Sequence, residues 1–415
     1  MLTSLVILPI IASVDVESST IQKEIDLLRR EVASYRQERS EDEIDRIRIE
    51  TVTSAIADIL EDAEARTSFS SLPANSIASE DGRFSLTFDY YTQVDWVLND
   101  NSIDGTQHGF EISASRLTLS GDVYGPDWTY AVRLLLGNGN DGDDQFAYIQ
   151  GNIGEDVNIQ AGLLTPMFSL EQAIDNNEQL GVYLSFVAGT FDPESSAGVS
   201  LFGDAGDVRG WITLVDGWNQ DLIEISGNQR QGVFGRVEWR PFGSWDDLYR
   251  FNPYLGDTET SMMVGVGGNF DWGDYAPVGV ARVDGDASRL TADFSWQTSG
   301  FATLSSISWQ DTASDIPYGG RRWAATSQVA WFPQRRLECY ARGEWGTILG
   351  QDSTELWMGT IGMSWYPAGD RRIKFTIELV QGWGNTIGWR IDGNPGLVEV
   401  DAPQTAVRSQ VQLSF

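Results

Sequence analysis

Cysteine and histidine are nearly absent from this 415-residue chain, which has one of each, Cys339 and His108. A single cysteine cannot close an internal disulfide or build a cysteine-rich zinc site. A single histidine excludes a multi-histidine metal centre and leaves histidine-based catalysis one candidate. That candidate sits in Asp104-Gly-Thr-Gln-His108-Gly, which reads as a solvated loop. No Ser-His-Asp arrangement is identifiable, so no enzyme activity, cofactor or metal is expected. Lysine is almost as scarce, with Lys23 and Lys374 set against 26 arginines. Acidic residues number 60 and basic ones 28, a net charge of −32 that argues against general nucleic-acid binding. Such binding needs cationic side chains to neutralise phosphate. Long apolar runs are missing too: beyond the first residues nothing approaches the roughly 20 apolar residues of a spanning helix.

What is present divides into four stretches. Residues 1–13 (MLTSLVILPIIAS) are apolar and end in small residues, as a secretory signal does, without the usual basic start. Residues 14–62 are charged and helix-forming, and Ile21, Ile25, Leu28, Val32 and Tyr35 recur at +4, +3, +4, +3. That spacing is a coiled-coil seam. Arg39, Asp42 and Arg46 occupy the same register further on, so the segment is one coiled coil with a polar middle or two helices broken near Ser40. Such a narrow seam favours self-association over burial in a globular core. Residues 63–82 are small, polar and Ser-rich, and read as a linker.

From residue 83 the period changes to 2. Phe84, Leu86, Phe88 and Tyr90 alternate with Arg83, Ser85, Thr87 and Asp89. Ile373, Phe375, Ile377 and Leu379 likewise alternate with Arg372, Lys374, Thr376 and Glu378. Such strands have a different solvent on each face. A soluble sandwich also alternates, but here the polar faces carry charge along their length. Tryptophans and a tyrosine gather at strand ends (Trp96, Trp211, Trp239, Trp272, Trp331, Trp365, Tyr366), as interfacial girdles do. Three strands end in Trp-x-Pro, at Pro241, Pro333 and Pro367, where a residue without an N–H ends a ladder. Tight turns such as Gly154-Glu-Asp156 alternate with long Asp-, Asn- and Gly-rich loops such as 166–195 and 384–403. The expected fold over 83–415 is all-β, a closed antiparallel transmembrane barrel of about 16 strands. Both ends of an even-stranded barrel lie on one side, which places the coiled coil in the periplasm.

Several segments resemble the phosphate-selective porin O and P family of Gram-negative outer membranes. They are Ile112-Ser-Ala-Ser-Arg-Leu-Thr-Leu-Ser-Gly-Asp-Val-Tyr124 with Trp128-Thr-Tyr130, and Phe146-Ala-Tyr-Ile149 with Ala161-Gly-Leu-Leu-Thr-Pro-Met-Phe-Ser-Leu-Glu171. Gly362-Met-Ser-Trp-Tyr-Pro367 and the terminal Phe415 are similar too. The resemblance spans residues 83–415 and implies a sixteen-stranded homotrimeric channel with an inward-folded loop after Glu171. It also implies that Phe415 is the signal read by the barrel-assembly machinery. That family's anion pathway is lysine-lined, whereas this barrel has only Lys374. The acidic loops therefore point to a cation-preferring or weakly selective pore.

The loop over 166–195 is too long for an ordinary connection. It supplies the constriction candidates Glu171, Asp175, Glu178, Asp192 and Glu194. Facing them, the wall candidates are Arg116, Arg133, Arg236, Arg240, Arg289, Arg342, Arg372 and Lys374. Opposed charges across a narrow opening create a transverse field. The Asn138–Asp144 loop has closely spaced oxygen ligands of the calcium-binding kind but lacks a distal bidentate Glu, and turn composition accounts for it equally. Two functions fit: passive diffusion of small hydrophilic solutes, or a structural tether whose coiled coil contacts the cell wall.

Overall fold

The computed structural model describes residues 75–415 apart from 80, 137–144, 217–230, 252–258, 276–282, 285, 313–319, 351–354, 390 and 392–395. The signal-like segment, the heptad seam, all but the end of the linker and the Asn138–Asp144 loop lie outside the described residues.

Alternation becomes sheet from Ser85 onward. The first strands are β1 (Ser85–Asn101), β2 (Gly105–Asp122), β3 (Trp128–Leu135), β4 (Phe146–Asn152) and β5 (Val157–Leu164). Next come β6 (Ser196–Asp204), β7 (Val208–Val215), β8 (Gln231–Phe242), β9 (Ser261–Trp272) and β10 (Ala287–Thr298). The last six are β11 (Phe301–Thr312), β12 (Arg322–Gln334), β13 (Leu337–Ile348), β14 (Leu356–Trp365), β15 (Ile373–Gly384) and β16 (Gln404–Ser414). Each pairs antiparallel with its neighbour in sequence, and β16 returns to β1 from Gln404↔Asn101 to Ser414↔Tyr91. The sheet is therefore a closed barrel of sixteen strands, as the alternation predicts. Closure pairs the ladder groups that an open edge would leave bare. Ser76–Ala78 adds a short strand beside β1, and Asp274–Tyr275 pairs with Val283–Asp284 in a small ribbon.

The two faces sort as the sequence does. On β15 the outward Phe375, Ile377 and Leu379 are exposed, while Lys374, Thr376 and Glu378 are buried in the lumen. The three Trp-x-Pro tryptophans, Trp239, Trp331 and Trp365, all stand exposed at the end of the barrel where its chain enters and leaves. At the opposite, loop-bearing end, Trp272, Trp323, Trp357 and Trp383 form a second exposed set. Wall height is uneven: β3 to β7 have 7–9 residues each, β8 to β13 have 12–13.

Two expectations need correction. His108 lies in β2, opposite Leu98, and not in a loop. The β1–β2 hairpin runs on past the start of β3's pairing, with Gly105–Ile112 exposed at every residue. Gly105–Gly109 has no apolar residue, so no alternation marks it as strand. The second is the connection from β8 to β9, eighteen residues long at the end where the other turns take between two and seven. It contains a helical turn, Trp245–Leu248, whose apolar residues are buried.

Candidate functional site

The loop between β5 and β6 enters the barrel and builds the site. Its fold is local at first. Ser169 caps the short helix Leu170–Ala173, its Oγ accepting from the Gln172 N–H at 3.2 Å. Ser185 caps a second helix, Phe186–Phe191, its Oγ accepting from Ala188 N–H at 3.0 Å. Glu171 ties the two together, accepting from the Ser185 N–H and Oγ, each at 2.7 Å.

The wall then holds the loop chiefly by its main chain. Arg236 donates to the Phe168 carbonyl at 2.8 Å, and Asp293 accepts from Leu170 N–H at 3.3 Å. Lys374 donates to the Gln179 carbonyl at 2.5 Å, and Arg342 to the Tyr183 carbonyl at 2.8 Å. Glu378 accepts from Val182 N–H at 3.1 Å and Glu344 from Phe186 N–H at 2.6 Å. Gln410 and Gln412 donate to the Val182 and Asn177 carbonyls at 3.2 and 3.1 Å. The clamping charges are themselves paired: Arg236 with Glu238 and Asp293, Arg342 with Glu344, and Arg408 with Glu378. Two glycines on the inner face of β9 make room. A Cβ on Gly267 would fall 2.2 Å from the Phe168 carbonyl oxygen, and one on Gly265 would fall 2.2 Å from Arg236 Nη2.

With the loop seated against β8–β16, open space remains against β1–β5. It is a cavity of about 350 Å³ whose wall side includes Gln93, Arg133, Phe146, Tyr148 and Gln160. Its loop side includes Gln172, Asp175, Asn176, Asp192 and Glu194. Asp175 spans the gap, accepting from Arg116 at 2.7 Å and Arg133 at 3.2 Å. Tyr91 and Phe146 stack under those guanidiniums at 4.4 Å each.

Burial works against the Asp175 carboxylate, but Arg116 and Arg133 outweigh it and hold its carboxyl below the usual range. A depressed folded value means the contact is intact above the ordinary aspartate value of about 3.9 and is lost as pH falls through the folded one. The contact is therefore expected to persist from pH 8 to about 4. It should loosen only below that, which a pH series of hydrogen exchange in the loop checks. Asp192 goes the other way. Burial, with the nearby charges of Glu171 and Asp293, pushes its carboxyl well up, against the bond it accepts from Ser169 Oγ.

Of the sequence candidates, the structure brings Asp175, Arg116 and Arg133 together at the opening, with Asp192 and Glu194 beside them. Others have a different place from the one expected. Glu171 is 3% exposed and staples the loop to itself. Glu178 pairs with Arg371, not with a candidate arginine. Arg236, Arg342 and Lys374 are buried under the loop as its clamps, because an inward loop must satisfy its backbone groups on something. Arg289 pairs with Asp271 across neighbouring strands. Arg240 and Arg372 stand near the turn end, paired with Asp207 and Asp370. The sequence reading missed the acidic halves of the clamps, Glu344, Glu378 and Asp293. A signal was there: Arg236-Val-Glu238 and Arg342-Gly-Glu344 put opposite charges two apart, hence on one face of a strand.

No protein-family model matches the chain, and no curated protein matches it in sequence. In three dimensions it is similar to the anion-selective porin from Comamonas acidovorans, with TM-score 0.57 and 14% identity over 80% of this chain and 100% of that one. The fold is that of the outer-membrane porins. The outer membrane channel DcaP of Acinetobacter baumannii is similar at TM-score 0.53 and 13% identity, over 82% of this chain and 99% of that one. The trimer form of OmpT of Vibrio cholerae gives 0.51 and 12%, over 80% and 99%. At identities this low the shared property is the porin fold. The narrower likeness to the phosphate-selective O and P family rests on the short motifs alone.

Proposed function

We propose that this chain is an outer-membrane porin, a passive channel for small hydrophilic solutes and ions with a weak cation preference or none. The observation that carries the proposal is the cavity beside the inward loop, lined by Arg133, Gln160, Asp175 and Glu194 among others, in a closed barrel whose outer face is apolar. In this reading the bilayer covers that outer face. The turn end and the coiled coil face the periplasm, and the long loops face outward. In this reading Phe415, 65% exposed and paired in both directions with the Tyr90 backbone, is the residue that the assembly machinery reads.

Wall height supports a homotrimer. Strands of about 8 residues rise roughly 26 Å before tilt, less than a tilted strand needs to span the apolar band of about 25 Å. The low side, β3–β7, is better covered by other copies than by lipid.

Weak selectivity follows from the charges at the opening. Arg116 and Arg133 face Asp175 and Glu194 there, a near-balance of charge, while Asp192 is pushed toward its neutral form, so removing a carboxylate tips the balance toward anions. The test is single-channel recording in a planar bilayer, with reversal potential in a salt gradient. Glu194→Gln is expected to move the reversal potential toward the anion side, and Asp192→Asn to move it less. A reversal potential firmly on the anion side for the unaltered protein would refute the charge argument, and silence from a folded barrel would refute the channel.

A further inference from the structure

The β8–β9 connection is longer than its task. Phe242 lies opposite Met262 in the ladder, so a two-residue turn of the kind that closes β10 onto β11 would join these strands. Eighteen residues are used instead. The described part of this segment, from Gly243 to Phe251, turns back into the barrel. Trp245 is 5% exposed, and Leu248 and Phe251 are fully buried. They share one apolar cluster with Leu170, Ile174 and Leu180 of the inward loop and with wall residues Met263, Leu304 and Tyr340.

Polar contacts fix the segment at both ends of this cluster. Trp245 Nε1 donates to the Gly206 carbonyl at 2.9 Å, and its ring lies between Arg209 and Arg240 at 4.5 and 4.8 Å. Tyr249 donates its hydroxyl to Glu238, which accepts from Arg236 Nε at 2.7 Å. Arg236 in turn holds the Phe168 carbonyl and Asp293. A continuous chain of hydrogen bonds therefore runs from Tyr249 to the backbone of the constriction loop. Arg371, which pairs with Glu178 of that loop, also donates to the Arg250 carbonyl at 3.3 Å.

We propose that residues 243–251 form a second constriction element, entering from the turn end. It fills the lumen below the loop along β9–β13, confines passage to the opening against β1–β5, and so sets the size limit of the pore. The inference rests on the channel reading above. The cluster is made of side chains that gain by leaving water, and the lumen of a sixteen-stranded barrel is otherwise too wide for wall residues to fill.

The test replaces residues 243–261 with Asn-Gly and records single-channel conductance together with liposome swelling in sugars of graded size. At least about a doubling of conductance is expected, with entry of sugars that the unaltered barrel excludes. The pair Leu248→Ser and Phe251→Ser, which leaves the chain length unchanged, is expected to shift both readouts the same way and serves if the shortened chain fails to assemble. Unchanged conductance and an unchanged size limit in a folded variant would overturn the inference. Silence from the unaltered protein would overturn the channel reading itself, so the two failures are distinct.

Discussion

Replacing Arg236 with alanine is expected to cost about 3–5 kcal/mol and to free one end of the constriction loop. Arg236 is 1% exposed and makes four short bonds, two to Asp293, one to Glu238 and one to the Phe168 carbonyl. Truncation removes a cation paired with two carboxylates that are themselves buried, with side chains no more than 1% exposed. An unpaired charge in such a place costs far more than a lost surface pair. Arg236→Lys keeps the charge but not the fork that meets both oxygens of Asp293, and should fall between. Barrels of this kind unfold irreversibly on heating. The comparison is therefore the temperature at which the folded gel band disappears at one heating rate. A variant that melts with the unaltered protein and shows quiet current would mean that Arg236 is not an anchor.

Trp389→Ala should have a similar cost, about 3–5 kcal/mol, by a different route. Trp389 is fully buried in the loop between β15 and β16, edge-on to Phe186 of the constriction loop at 5.3 Å. Arg322 lies over its ring at 5.4 Å and donates to the neighbouring Gly388 carbonyl at 2.7 Å. Removing the indole leaves a large void between two loops and exposes the apolar top of the helix Phe186–Phe191. Beyond the melting shift, current fluctuations are expected to increase, because the roof of the constriction is no longer seated. A loss under about 1 kcal/mol, the scale of a surface change, would show that the two loops are not packed together in the membrane.

The barrel was legible because its signal is one-dimensional. Alternation along Arg371–Gln381 or Arg289–Trp296 decides which residues face in, and the Trp-x-Pro runs mark one rim without any knowledge of pairing. Strand positions follow to within a few residues. The inward loop was legible as an anomaly of length, and charge put Asp175, Arg116 and Arg133 among thirteen candidates without singling them out. What stayed hidden depends on which parts of the wall the loop touches. Nothing local separates Arg133 at the opening from Arg342 beneath the loop, since both are arginines on inward faces. The segment from Gly243 to Phe251 was hidden for another reason. Trp, Leu and Phe at a turn look like a rim girdle until a second apolar surface, that of Leu170 and Ile174, is known to lie below the loop.

The wall grips the constriction loop mostly by carbonyls and amide N–H groups, those of Phe168, Leu170, Gln179, Val182, Tyr183 and Phe186. Such groups are common to nearly every amino acid. The seat therefore depends little on which side chains the loop turns toward the cavity, Asp175 excepted. On the channel reading proposed above, permeability can drift, or be redesigned, one side chain at a time, while the loop stays docked and the chain continues to assemble.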